Sequence, residues 1–232
     1  MADPSPSLPG EPGVPARRVS APGYFLVIEG PDGSGKSTQA RKLASALHAR
    51  GIRSCYTSQP TDGAVGKEIR CLLSRKGKDV ASWQHLALLF AADRVGHLKS
   101  YILPMLADGF VVVCDRYDLS SLIYQSIGGD PDQVQWVRAL NRYALRPDLT
   151  IVLETSPDKL IVRGAHRPEQ HDEFDDARYA ALLSYTYQRA GSILPKDNTV
   201  FVPGDPGEDE VGWGVLTTAI GRLQLAGFTV TL

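Results

Sequence analysis

One segment constrains this chain more than any other. Gly30-Pro31-Asp32-Gly33-Ser34-Gly35-Lys36-Ser37 fits the spacing G-x-x-x-x-G-K-[ST]. It follows a continuous apolar run, Tyr24-Phe25-Leu26-Val27-Ile28, of the kind a strand covered on both faces needs. It precedes residues 38–50, where Ala40, Leu43, Ala44 and Leu47 recur at helical spacing until Gly51 ends the pattern. Strand, glycine loop and helix together make a phosphate cradle. Glycines let successive backbone N–H groups turn inward around phosphate oxygens, and the helix aims its positive end at the same place. Lys36 adds a mobile point charge for β- and γ-phosphates, and the Ser37 hydroxyl reaches Mg²⁺. The expected nucleotide-binding residues are Gly30, Pro31, Asp32, Gly33, Ser34, Gly35, Lys36, Ser37 and Thr38. The motif alone specifies a nucleoside triphosphate. GTPases, motor ATPases and small-molecule kinases all share it.

The rest of the chain alternates between the two periodicities. Residues 52–57, 110–114, 149–153 and 199–202 read as strands, and 66–73, 83–106, 133–145, 158–162, 177–193 and 211–225 as helices. Pro104 marks a break or kink near the end of the long helix. The pattern predicts an α/β fold: a P-loop NTPase-type parallel sheet of about five strands with helices on both faces. Residues 1–22, rich in Pro, Gly and Ser, read as a disordered arm. Residues 23–226 form the P-loop domain, and 227–232 a tail that is either a short extra strand or loose.

Charge and composition exclude several classes. A formal net charge of −1 over 232 residues is not the basic excess of a polynucleotide binder, so any basic site is local. No apolar stretch approaches the ~20 residues that span a bilayer, and the first residues lack the apolar core of a signal peptide. Cys55, Cys71 and Cys114 fit no zinc spacing and point to a reducing compartment, with the cytoplasm as default.

Asp115 follows its strand directly. A carboxylate there lies beside the phosphate loop and suits Mg²⁺, although a helix N-cap reads the same. Arg116 and Arg94 lie within reach of a second, acceptor phosphate. Taken singly, Phe90 and Tyr124 fit core packing as well as ligand contact, and Arg70 fits a solvated helix charge.

Several blocks occur together: residues 29–39 around the glycine loop, Gly66-Lys67-Glu68-Ile69-Arg70, Leu89-Phe90-Ala91-Ala92-Asp93-Arg94, Asp115-Arg116-Tyr117-Asp118-Leu119-Ser120-Ser121-Leu122-Ile123-Tyr124-Gln125, and Arg146-Pro147-Asp148-Leu149-Thr150. In this order and spacing the chain resembles the bacterial thymidylate kinases from Tyr24 to Val202. The resemblance implies a kinase that moves the γ-phosphoryl of ATP to dTMP, with Mg²⁺ held at Ser37 and Asp115. It also implies a role for each matching position. Phe90 would stack on the thymine, with Arg94 and Gln125 on its edge and Ser121 close by. Tyr124 would crowd the sugar 2′ position, and Asp32 would sit near the 3′-hydroxyl. Arg70 and Arg116 would hold the acceptor phosphate. A homodimer is implied as well, for which the long apolar helix offers a face.

Phosphoryl transfer needs positive charge around the moving group. Some thymidylate kinases place a basic residue inside the glycine loop; here that slot is Gly33. The charge is then expected from a short mobile lid at about 160–175, from Arg163 or Arg167, with Arg167 the stronger candidate. The catalytic set is therefore Lys36, Arg116, Arg163 and Arg167. His166, His171 and Asp172 read as solvated lid residues rather than a metal site.

The chain departs from the resemblance at Ser58-Gln59-Pro60-Thr61, where the family reads Arg-Glu-Pro-Gly. Losing a fixed charge there weakens acceptor binding by about 1–2 kcal/mol, or signals a different pyrimidine acceptor. Gln59-Pro60 is a candidate cis bond. The remaining alternative, a silent nucleotide-binding module, sits poorly with an intact Lys36 and Asp115.

Overall fold

Four of the five strands are built on apolar, β-branched and aromatic residues, and three of those close on a carboxylate; the second strand, Ser54-Cys55-Tyr56-Thr57-Ser58, is the most polar. In the computed structural model, which describes residues 23–75, 81–126, 131–165, 177–193 and 198–230, these are β1 (Tyr24–Glu29), β2 (Ser54–Ser58), β3 (Val111–Asp115), β4 (Leu149–Glu154) and β5 (Thr199–Pro203). They form one sheet in the order β2-β3-β1-β4-β5, and each neighbouring pair is parallel. Parallel neighbours require crossovers, and helices supply them.

Alternation along β1 sorts the core into two layers. Leu26 and Ile28 face α1 (Lys36–Ala49) and α10 (Glu208–Leu225), meeting Leu43, Leu47, Val215 and Ile220. Phe25 and Val27 face the opposite side, against Leu98, Ile102, Leu106 and Tyr117. All these residues are buried, and each fully buried side chain of this size contributes about 1.5–3 kcal/mol. Parallel pairing brings the carboxyl ends of all the strands to one edge of the sheet, where Ser58 pairs with Asp115 and Asp115 with Ile28. That edge is where ligands bind in open parallel sheets.

The long helix expected over 83–106 is divided into α3 (Trp83–His97), a π-helical segment (Leu98–Ile102) and α4 (Leu103–Ala107). Pro104 explains the place. Its ring has no N–H and clashes with the carbonyl four residues back, at Ser100, within the widened turn. α3 starts at Ser82, whose hydroxyl accepts from the His85 N–H at 3.3 Å.

α2 (Ala64–Leu73) starts just before the expected 66. α5 (Asp118–Tyr124) was not expected. α6 (Pro131–Leu140) stops short of 145, α7 is Pro157–Ala165, and the span 177–193 divides into α8 (Ala177–Gln188) and α9 (Ala190–Ile193). The tail adds no strand through Val230. Phe228 instead packs edge-on to Tyr24, ring centroids 6.1 Å apart, and Val230 is buried. The arm 1–22 and the middle of the lid lie outside the described residues.

Candidate active site

The glycine loop takes backbone conformations that few side chains tolerate. Gly33 and Gly35 have φ of 84° and 87°, in the left-handed region that glycine alone enters without cost. A Cβ on Gly30 would lie 2.7 Å from Ser34 Oγ. Ser34 Oγ is itself buried without a protein partner, as a donor meant for a phosphate oxygen should be. Lys36 Nζ lies 3.3 Å from the Pro31 carbonyl and 3.1 Å from Asp32 Oδ1. Burial lowers the Lys36 pKa, and the nearby Arg116 charge lowers it further.

Asp32 joins this loop to the acceptor side. Its Oδ1 accepts from Lys36 and from Arg116 Nη2, and its Oδ2 accepts from the Tyr124 hydroxyl at 3.0 Å. Surrounding protein pushes the carboxyl pKa up, but the Arg116 and Lys36 charges outweigh that and hold it well below the carboxylate range. The same two cations are those expected on phosphate. Asp32 thus supplies the negative charge between them before a nucleotide does.

α5 carries two of the expected acceptor-side residues, Ser121 and Tyr124. Ser121 Oγ accepts from Arg94 Nη2 at 2.8 Å, and the Tyr117 carbonyl accepts from the same nitrogen at 2.9 Å. Arg94 Nη1 donates to Asn141 Oδ1. This leaves Arg94 Nε buried and unpartnered, and Gln125 Oε1, one turn beyond Ser121, is in the same state. Phe90 lies one turn before Arg94 on α3 and is half-buried. Tyr124, on Asp32, also lies under the Arg116 guanidinium, 5.0 Å from its ring centroid.

Arg70 is placed differently from expectation. Its guanidinium donates to the carbonyls of Pro60 at 2.8 Å and Thr61 at 2.6 Å and pairs with Asp62 at 3.0 Å. It fastens the loop after β2. Asp93 fastens the same loop, accepting from Thr61 N at 2.8 Å and Thr61 Oγ1 at 2.6 Å. Gln59-Pro60 is cis. Gln59 turns inward, 4% exposed, with its amide nitrogen 3.2 Å from His97 Nδ1, while His97 Nε2 lies 2.7 Å from Thr57 Oγ1. The departure at Gln59 is therefore a contact with α3, whereas Ser58 pairs in register with Asp115.

Arg163 is tied to backbone carbonyls. Its guanidinium donates to the Gly204 carbonyl at 2.9 Å and the Pro206 carbonyl at 3.4 Å, on the loop after β5. Arg167, His166, His171 and Asp172 lie outside the described residues.

Sequence reasoning missed Glu29, Ser120 and Asn141. Glu29 is fully buried, and burial raises its pKa despite the donors around it. The one signal available was a carboxylate closing an apolar strand. Ser120 stands in the block that carries the resemblance, but no role was assigned to it.

The donor set fits Mg²⁺. Asp115 Oδ1 is buried without a partner, and the Ser37 hydroxyl stands at the start of α1. Among the described residues no group of three or more His, Cys, Asp or Glu could hold an ion by itself. Few protein ligands, all oxygen, suit an ion that also takes phosphate oxygens and water.

The thymidylate kinase family model matches residues 28–206. A probable thymidylate kinase of Pyrococcus horikoshii is 46% identical over 179 residues, 75% of this chain and 85% of the relative. A probable thymidylate kinase of Thermococcus gammatolerans is 45% identical over 159 residues, 66% and 75% of the two chains. The thymidylate kinase of Caldicellulosiruptor saccharolyticus is 41% identical over 143 residues, 61% and 69%. The likeness extends to archaeal thermophiles and does not single out the bacterial enzymes. With the match running from β1 past β5, the chain belongs to the thymidylate kinase family.

Proposed function

We propose that this chain transfers the γ-phosphoryl of ATP to dTMP, giving dTDP and ADP. The observation that carries the choice of base is the pair of buried groups without protein partners, Arg94 Nε–H and Gln125 Oε1. One is a donor and the other an acceptor. Thymine offers the complement, an O4 acceptor beside an N3–H donor. Cytosine offers an amino donor at position 4 and an acceptor at N3, which opposes both. Unpaired buried groups cost about 1–3 kcal/mol each, so the mismatch discriminates strongly. Phe90 supplies the stacking face and Tyr124 the sugar wall.

The glycine loop's N–H groups and Lys36 hold the β- and γ-phosphates. Arg116 releases Asp32 and takes the acceptor phosphate, and Asp32 turns to the sugar 3′-hydroxyl. Arg70 remains a candidate second contact to that phosphate, at the cost of its loop bonds. Ser37 and Asp115 would hold Mg²⁺ with ATP, and the ion would supply neutralising positive charge to the phosphates. A dTMP phosphate oxygen then forms a bond to the γ-phosphorus as the bond to the β–γ bridging oxygen breaks. The electron pair leaves on ADP. The attacking oxygen is already an anion, so no general base is required. Arg167 closes from the lid onto the moving phosphoryl. Arg163 assists only by leaving the carbonyls of Gly204 and Pro206.

A different pyrimidine acceptor is favoured only by Ser58, since Gln59 faces α3 rather than the pocket. ADP release from ATP in the presence and absence of dTMP tests the reading. Release that depends on dTMP supports it, and ATP binding without release would leave a silent binding module.

We assign the outward stripe of α3 and α4 to a homodimer contact. Leu88, Val95 and Leu103 are 50%, 53% and 47% exposed at helical spacing. Light scattering that returns a monomer removes this assignment. No described helix is long and apolar enough to cross a membrane. A cytoplasmic setting suits the free cysteines, of which Cys71 is exposed.

A further inference from the structure

Arg116 has φ of 66°, the one positive value at a non-glycine residue among those described. A left-handed arginine is strained and persists only where its surroundings hold it. Glu29 is what holds this turn. Its Oε1 accepts from the Tyr117 N–H at 2.8 Å and the Ser120 N–H at 3.1 Å. Its Oε2 accepts from the Ser120 hydroxyl at 2.6 Å. With its proton committed to Glu29, the Ser120 oxygen is left as an acceptor, and Arg116 Nη1 donates to it at 3.1 Å. The Tyr187 hydroxyl, from α8, closes the network at 3.1 Å from Ser120 and 3.4 Å from Glu29.

We infer that Glu29 and Ser120 are positioning residues for phosphoryl transfer: the buried carboxylate sets the direction of the Ser120 hydroxyl, which holds Arg116 against the acceptor phosphate. The two Nη atoms of Arg116 then have distinct duties. Nη1 stays on Ser120, and Nη2, now on Asp32, is the one exchanged for phosphate. A neutral amide at position 29 meets the Ser120 hydroxyl with hydrogens, so the hydroxyl turns away and the relay loses its direction. Deleting the hydroxyl frees Nη1 outright. Alanine is also the best helix former, so α5 keeps its shape in Ser120→Ala.

The inference rests on Arg116 meeting the acceptor phosphate, and two readouts keep the claims separate. The first is a double-mutant cycle in dTMP phosphorylation. Ser120→Ala is expected to lower kcat/KM for dTMP about tenfold in the wild-type background and less than about twofold in Arg116→Ala. Equal losses in both backgrounds overturn the relay, because a structural defect would act without Arg116. The second needs no substrate. Phenylglyoxal modification of Arg116, followed by peptide mass spectrometry, should accelerate several-fold in Ser120→Ala and Glu29→Gln at unchanged thermal midpoint. An unchanged rate in both overturns the relay. If the wild type fails to phosphorylate dTMP, the proposed function falls and the modification rates alone decide the relay.

Discussion

The two halves of the site are built by different means. The donor half is mostly backbone: a loop of glycines in left-handed conformations with a helix N-terminus behind it and the Lys36 side chain folded over it. The acceptor half is side chain. Arg94 comes from α3, Ser121 and Tyr124 from α5, Asn141 from the end of α6, and Asp32 reaches over from the donor loop. A backbone site recognises any triphosphate, because every triphosphate offers the same oxygens. A side-chain site chooses, because each donor and acceptor can be left unpaired by the wrong base. Asp32, bridging Lys36, Arg116 and Tyr124, is the hinge between them.

Substitutions on the two halves should therefore fail differently. The largest effect belongs to the donor half. Lys36→Ala is expected to lower kcat by about a thousandfold with every acceptor, since the lost charge acts on the transferring group. An acceptor-dependent loss would break the division. Next comes the proposed lid, which would serve the same group. Arg167→Ala should slow single-turnover transfer about a hundredfold and Arg163→Ala less, given the latter's bonds to Gly204 and Pro206. Near wild-type rates in both remove the lid from the chemistry. On the acceptor half, Gln125→Ala should lower kcat/KM for dTMP about tenfold while narrowing the gap to dCMP. Loss without narrowing would mean that Gln125 does not read the base.

The smallest expected effect concerns the loop after β2. Burial pushes the His97 imidazole below its usual 6.5, with Asp93 raising it and Arg94 lowering it. The folded chain then binds fewer protons than the unfolded chain just below 6.5. Its stability is complete above that pH and is lost as pH falls toward the folded value. The wild-type thermal midpoint should drop by roughly 2–4 °C more than that of His97→Gln on acidification from about pH 7.5 to about pH 5.5. Parallel curves would mean that His97 does not titrate over this range.

The same division decides what could be read from the sequence. Glycine loop, strand and helix were legible because glycine at fixed offsets has one structural use and long apolar periods have few. The sheet followed from the alternation of elements. α5 was not legible, since it has 7 residues and begins after a left-handed Arg116 that no propensity predicts. Phe90, Arg94, Tyr124 and Gln125 were legible only together, through resemblance, because each alone reads as core or surface. Glu29 and Ser120 stood in the matching blocks without a legible role, because the contacts of Glu29 reach far along the chain, to Tyr117 and Ser120, 88 and 91 residues away. Arg70 and Arg163 carried plausible roles, but spacing cannot tell a phosphate contact from a carbonyl contact.

On the proposed reading, Arg94 and Gln125 select thymine by its edge. The direct test is kcat/KM for dTMP, dUMP and dCMP with the wild-type protein, ATP and Mg²⁺. dTMP is expected ahead of dCMP by about a hundredfold or more, with dUMP between them by about one methyl group's worth of binding, roughly tenfold. A dCMP value equal to or above that of dTMP would contradict it.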